Sequence, residues 1–197
     1  VIPQAGDIGL TVITGPLGWM IRVGQWASLD GAPYQHAFLV TDDDGGTIEA
    51  MPGRRGVRPN HADNYDPART VYLRAEQSDD DRWEVARQGL ALLGRRYSYA
   101  QYPALGLLAA SEWAAKLTGK PKQELRPGWL LRYIADSRRV ICSQTVDEAF
   151  VHARKVRATV AELFDDQRAP GDVSPGDLWL DVTAPHIRYN PYAAEAS

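Results

Sequence analysis

The run Asp42-Asp43-Asp44-Gly45-Gly46 constrains this chain more than any other stretch. Asp and Gly tolerate left-handed backbone, and an Asp side chain accepts hydrogen bonds from nearby backbone N–H groups, so the run is a strong turn signal. It separates two short apolar runs, His36-Ala37-Phe38-Leu39-Val40-Thr41 and Thr47-Ile48-Glu49-Ala50-Met51. Two such runs joined by such a turn form a β-hairpin, which commits its neighbourhood to an antiparallel sheet. With Asp42 to Gly45 as the loop, Thr41 faces Gly46 and Phe38 faces Glu49. Side chains alternate along a strand, so His36 and Phe38 share a face. Glu49 then joins that face diagonally from His36, about 7 Å away at the β-carbons. A loop longer or shorter by a single residue turns Glu49 to the opposite face, where it is a solvated hairpin residue.

The rest of the chain supplies more strands first and helices later. Ile8 to Thr14 predicts a strand ended by Gly15-Pro16, and Arg69 to Arg74 predicts another with Val71 and Leu73 on one face. A last strand is expected over Leu178 to Val182. Helices are expected over Leu17 to Leu29, from Ser78 to Leu93, over Pro103 to Leu117, over Gly128 to Ile134, from Ser143 onward, and over Val160 to Asp166. In the second of these Ser78 is the N-cap, Asp79, Asp80 and Asp81 meet the positive end of the dipole, and Gly94 follows the end. Its inward residues are expected to be Trp83, Ala86, Leu90 and Leu93. Val57 to Pro67 reads as polar and irregular, Tyr97, Tyr99 and Tyr102 as loop residues, and the tail from about residue 188 as loosely ordered. No repeat or low-complexity linker divides the 197 residues. The expectation is one α+β domain over residues 1–197, an antiparallel sheet of about 5–6 strands faced by helices.

Lys and Arg number 22 against 25 Asp and Glu, for a net charge of -3, which argues against a nucleic-acid partner. The longest apolar stretch, Pro103 to Ala110, is shorter than the roughly 20 residues needed to cross a bilayer, so membrane contact is not the favoured reading. No targeting segment is visible, and the compartment stays open between the cytoplasm and a cell-envelope or phage-associated setting. Phosphate-binding and dinucleotide fingerprints are absent. One Cys and scattered His residues have no zinc-ligand spacing, so no metal or other cofactor is expected. A monomer is expected.

That one cysteine, Cys142, lies in Val140-Ile141-Cys142-Ser143-Gln144-Thr145, where an apolar approach turns into a helix carrying Val146, Ala149 and Phe150 on one stripe. Unpaired N–H groups and partial positive charge at a helix N-terminus stabilise a thiolate. Position alone leaves two readings open, an activated nucleophile and an inert core thiol. A nucleophilic thiol needs an imidazole base, and the base needs a group that holds its tautomer. His152 is ten residues along the same helix, about 15 Å away, and is excluded as that base. His61 and His186 lie in loops, whereas His36 opens an apolar strand and has Glu49 on its face.

Four pieces carry a resemblance to a known group: Ala5-Gly6-Asp7-Ile8, His36-Ala37-Phe38-Leu39-Val40, Ile48-Glu49-Ala50 followed by Gly56-Val57-Arg58, and Val140-Ile141-Cys142-Ser143. Together they resemble the circularly permuted branch of the NlpC-type papain-like cysteine peptidases, which includes YiiX-like proteins and is related to lecithin retinol acyltransferase. In that branch the cysteine helix follows the histidine strand, as it does here. The resemblance implies a papain-like fold, with Cys142 as nucleophile, His36 as base and Glu49 as the orienting residue. Gln35 departs from the group, where a small residue such as Ser is common before the histidine. The Cys142 backbone N–H is a natural oxyanion donor, and Tyr34 and Tyr97 are candidates for a second, though packing is the commoner role for both. Arg54 and Arg58, with Arg55 beside them, are candidates for binding a substrate carboxylate, against the plainer reading of a solvated turn.

The function these residues imply is hydrolysis of an amide, in a peptide or a peptidoglycan stem peptide, through a thioester. The resemblance also implies a cell-wall role. Two other readings stand beside it: a lipid acyltransferase or esterase with the same three residues, and a non-catalytic ligand-binding module.

Overall fold

The computed structural model describes residues 3–15, 33–52, 56–98, 139–163 and 187–190, with residues 18, 22, 117–119 and 178. The expected helices over 17–29, 103–117 and 128–134 lie outside the described residues apart from positions 18, 22 and 117, as do Arg54, Arg55, Tyr99 and Tyr102.

The hairpin forms as its turn chemistry dictates. β2 (His36–Val40) and β3 (Gly46–Ala50) pair antiparallel, with Leu39 opposite Ile48 and Val40 opposite Thr47. The Thr41 N–H donates to the Gly46 carbonyl at 2.8 Å, which is the register expected from the sequence. Asp42 Oδ1 accepts from the N–H groups of Asp44 and Gly46, and Gly45 takes a φ of 92° that glycine adopts without strain.

Around this hairpin the sheet grows on both sides. β1 (Ile8–Thr11) pairs with β2 on one side and β5 (Thr70–Ala75) on the other. β4 (Val57–His61) pairs with β3, and β8 (Ile187–Asn190) with β5, which gives six antiparallel strands in the order β4-β3-β2-β1-β5-β8. The Ala5-Gly6-Asp7 piece anchors the start of β1. Gly6 makes the turn at a φ of 82°, and Asp7 is buried with Arg74 Nε and Nη2 donating to its two carboxylate oxygens at 2.8 and 2.7 Å.

Among the described residues, two helices cover one face. α1 (Asp79–Leu90) and α2 (Cys142–Val156) pack on the side of Ile8, Leu10, Ala37, Leu39, Ile48 and Leu73, which form the core with Val146, Ala149 and Phe150. Each fully buried aliphatic side chain there contributes about 1.5–3 kcal/mol. β6 (Arg96–Tyr97) and β7 (Arg139–Val140) make a short parallel pair that leads into α2. The fold is therefore the expected α+β class, with the cysteine helix after the histidine strand.

Six local expectations need correction. Val57–His61 is a strand, not irregular: Pro59 lies on an edge strand, where a missing N–H is tolerated. Tyr97 lies in β6 and is buried in the core. Residues 160–163 are not helical, and Leu178 is a helical residue where a strand is expected. The closing strand is instead β8, so residues 187–190 are tied to β5 rather than loose, because that edge still offered unpaired backbone groups. Finally, α1 is rotated from its expected phase. Val85, Ala86 and Gly89 face the core, while Trp83 is 49 % exposed and Leu90 and Leu93 also face out. A Cβ on Gly89 would come within 2.5 Å of Leu39 and 2.9 Å of Ile48, so closest approach to the sheet falls at the residue without a side chain.

On the opposite face, β1 passes under Phe38. A Cβ on Gly9 would lie 2.1 Å from the Phe38 ring, which is itself held by stacking on Tyr65 at 4.0 Å and an edge contact with Tyr72 at 5.9 Å. Gly9→Ala is expected to destabilise the protein by about 1–3 kcal/mol through overpacking, measured as a lowered urea midpoint at unchanged m.

Candidate active site

His36 and Phe38 share the face that carries Glu49, with Ala37 and Leu39 turned to the helices, as strand alternation requires. Glu49 reaches back across the hairpin, and its Oε2 accepts from His36 Nε2 at 2.8 Å. That leaves Nδ1 as the ring nitrogen for the thiol. Cys142 is the first residue of α2, and its thiol hydrogen-bonds to the His36 ring. The N–H groups of Ala37 and Ser143 also point at the sulfur. The Ile141 N–H, which precedes the helix, donates to Gln144 Oε1 at 3.1 Å and fixes the entry of the chain. The structure thus brings together the sulfur, the ring and the carboxylate from α2, β2 and β3.

All three groups are deeply buried, at 1 % exposure for Cys142, 3 % for His36 and 2 % for Glu49. Burial alone would push the thiol up and the imidazole down. The hydrogen bond and opposite charges within the pair reverse both effects, so the thiol lies below its ordinary value. His36, against the lowering by burial, is raised to about 9 by Cys142 and Glu49. Burial also opposes the charge on Glu49, but His36, Arg58 and Tyr65 outweigh it and hold the carboxyl at about 2. Both shifts favour a thiolate beside an imidazolium, the form in which sulfur is nucleophilic.

Three residues complete the surroundings of Glu49. Arg58 donates to Oε1 from Nε at 3.0 Å and from Nη2 at 2.8 Å, Asn60 Nδ2 donates to the same oxygen at 3.1 Å, and the Tyr65 hydroxyl donates to Oε2 at 2.9 Å. Arg58 lies directly opposite Glu49 in the ladder, and Asn60 is on the same face two residues on. Arg58, expected from the sequence to meet substrate, is engaged with Glu49 because β4 pairs β3. Asn60 and Tyr65 have no place in the sequence reading. The signal that identifies Asn60 is its spacing of two from Arg58 within a strand, which Pro59 obscured.

The remaining candidates fall elsewhere. Tyr97 is a core residue and Tyr34 packs against that core, the commoner role weighed for both. Gln35 is fully buried, its Nε2 donating to the Pro33 carbonyl while Oε1 has no hydrogen-bond partner among the described residues. His61 closes the hairpin turn, with Nε2 donating to the Asp44 carbonyl at 3.0 Å. A cleft of about 330 Å³ opens on the His36 and Glu49 side of the site, its lining including Thr11 to Thr14, Arg58, Asn60, Tyr65 and Arg69.

No family model matches this sequence, and no curated protein matches it. Among solved structures, the chain is similar to the crystal structure of the metalloprotein YiiX from Escherichia coli O157:H7, with a TM-score of 0.60 and 16 % identity, over 96 % of this chain and 97 % of that one. The likeness shows a shared fold. The donor set here does not suit a metal ion. Among the described residues no group of three His, Cys, Asp or Glu side chains is placed to hold one. Both oxygens of Glu49 are taken by N–H and O–H donors, including a guanidinium whose charge would repel a dication.

Proposed function

We propose that this protein is a cysteine hydrolase that cleaves an amide through a thioester at Cys142, in the manner of the NlpC-type papain-like enzymes its sequence resembles. The observation that supports this most directly is the continuous hydrogen-bonded relay from the Cys142 thiol through the His36 ring to Glu49.

In this reading the thiolate attacks the amide carbonyl carbon and a C–S bond forms. Charge on the carbonyl oxygen develops toward the backbone N–H groups at the start of α2. His36 gives its proton to the departing nitrogen and the C–N bond breaks, releasing an amine. A water then attacks the thioester, with His36 taking its proton, and the carboxylic acid leaves as the sulfur is restored. Glu49 stays ionised throughout and stabilises the imidazolium. The substrate class is a peptide or a peptidoglycan stem peptide.

The test is a panel of peptide amides, muropeptides and ester-linked lipids, run on the protein before and after alkylation. Because Cys142 is the sole cysteine, iodoacetamide modifies one thiol. Release of amine from an amide substrate that stops on alkylation is expected. Equal release from alkylated protein would sink the proposal, and cleavage of lipid esters alone would transfer it to the acyltransferase class.

A further inference from the structure

We infer that Arg58, Asn60 and Tyr65 are positioning residues for the Cys142–His36 pair, holding Glu49 so that it addresses only His36 Nε2, and that Arg58 is not a substrate anchor. The inference rests on the proposed hydrolase chemistry for its meaning, but its geometry stands alone.

A carboxylate has two oxygens and several directions in which to accept, and the side chain of a Glu has three torsions to choose among. A single hydrogen bond from an imidazole does not fix it. Here five donated bonds do: two from Arg58 and one from Asn60 on Oε1, and one each from Tyr65 and His36 on Oε2. Each donor is held in turn. Arg58 and Asn60 stand on β4 at fixed ladder positions opposite β3. Asn60 also donates to the Tyr65 oxygen at 3.1 Å and accepts from Asn64 Nδ2 at 2.7 Å. The Tyr65 ring lies flat on Phe38, with an interplanar angle of 4°. Phe38 is two residues from His36 on the same strand face, so ring, carboxylate and hydroxyl are set by one rigid surface. The other charged groups along the cleft are Asp66 and Arg69, which pair with each other at 3.3 Å.

Arg58 is 43 % exposed and lines the cleft, so a substrate-binding role is the natural rival. The two roles separate with a neutral probe. Iodoacetamide carries no charge, and although access to the buried sulfur scales its rate, the pH midpoint of that rate reports the thiolate. The variants are Arg58→Met, which keeps the aliphatic stem, and Tyr65→Phe, which keeps the stacked ring and removes only the hydroxyl. For a positioning role, the alkylation midpoint of both variants moves upward in pH, by about one unit for Arg58→Met, equivalent to roughly tenfold slower alkylation below the midpoint. On any amide substrate found, kcat falls while KM holds. The inference is overturned if both alkylation profiles superimpose on that of the unmodified protein, or if Arg58→Met raises KM and leaves kcat and alkylation unchanged. The alkylation arm runs whether or not an amide is cleaved. Absence of hydrolysis therefore counts against the proposed function, and an unshifted midpoint counts against the positioning role.

Discussion

Cys142→Ala is expected to lower amide hydrolysis by about 10⁶-fold, and His36→Gln by about 10²–10⁴-fold. The difference has a physical cause. Removing the sulfur removes the bond that forms, whereas removing the imidazole leaves a thiol that still ionises to a small extent. In His36→Gln the hydrogen bond and positive charge that lower the thiol are gone, and burial is left to push it up. Alkylation at neutral pH should therefore slow in parallel with hydrolysis. The pH profile of the unaltered protein follows from the same pair. His36 must carry its proton to release the amine, and that proton is lost as pH rises through about 9. Hydrolysis is expected to fall above that pH, while alkylation, which needs only the thiolate, does not. At the acid end Glu49 is held at about 2, below the ordinary 4.5, so its contribution to stability is complete above the ordinary value and is lost as pH falls toward 2. Stopped assays from about pH 5 to 10, with alkylation measured in parallel, check the alkaline limb, and urea midpoints from about pH 5 down to 2 check the acid one. Alkylation that declined together with hydrolysis above pH 9 would contradict the assignment of His36.

Asp7→Ala is expected to cost about 3–5 kcal/mol of stability, more than any loop or surface change. Asp7 is fully buried and takes both donors of the Arg74 fork, and its Oδ2 also accepts the Gln4 N–H at 2.9 Å. The pair ties the first residues of the sheet's central strand to β5 next to it. Alanine would leave the guanidinium without this carboxylate and the Gln4 N–H without its acceptor. The measurement is the urea midpoint at constant m, and a loss below about 1 kcal/mol would show that solvent replaces the pair. Both effects on Asp7 and Gly9 act on the frame beneath His36, so partial loss of activity should follow loss of fold rather than precede it.

The hairpin and its register were legible in the residues because local rules dominate there. The turn run leaves few backbone choices, and a slip by a single residue would turn Thr47 toward the helices and Ile48 away from them. Glu49 could be assigned to the face of His36 on parity alone. The start of α2 was legible for a similar reason, as an apolar approach followed by a helical stripe of Val146, Ala149 and Phe150.

Elsewhere the local signal pointed the wrong way. Pro59 made Val57–His61 read as irregular, although an edge strand accepts it. Trp83 and Leu93 are apolar and were assigned inward, yet the rotation of α1 is decided by where a helix can come closest to the sheet, and that is at Gly89.

The chain alone determined the chemistry available: a single thiol at a helix start, an imidazole at a strand start and a carboxylate across one turn. Those follow from short-range backbone preferences and the alternation of side chains. Which groups meet that carboxylate was decided only by tertiary structure. Arg58 and Asn60 reach Glu49 because β4 pairs β3, and Tyr65 reaches it because its ring stacks on Phe38. Arg58 and Asn60 lie only 9 and 11 residues from Glu49 in sequence, but their contacts depend on Val57–His61 pairing as a strand, which Pro59 argues against and no local propensity encodes.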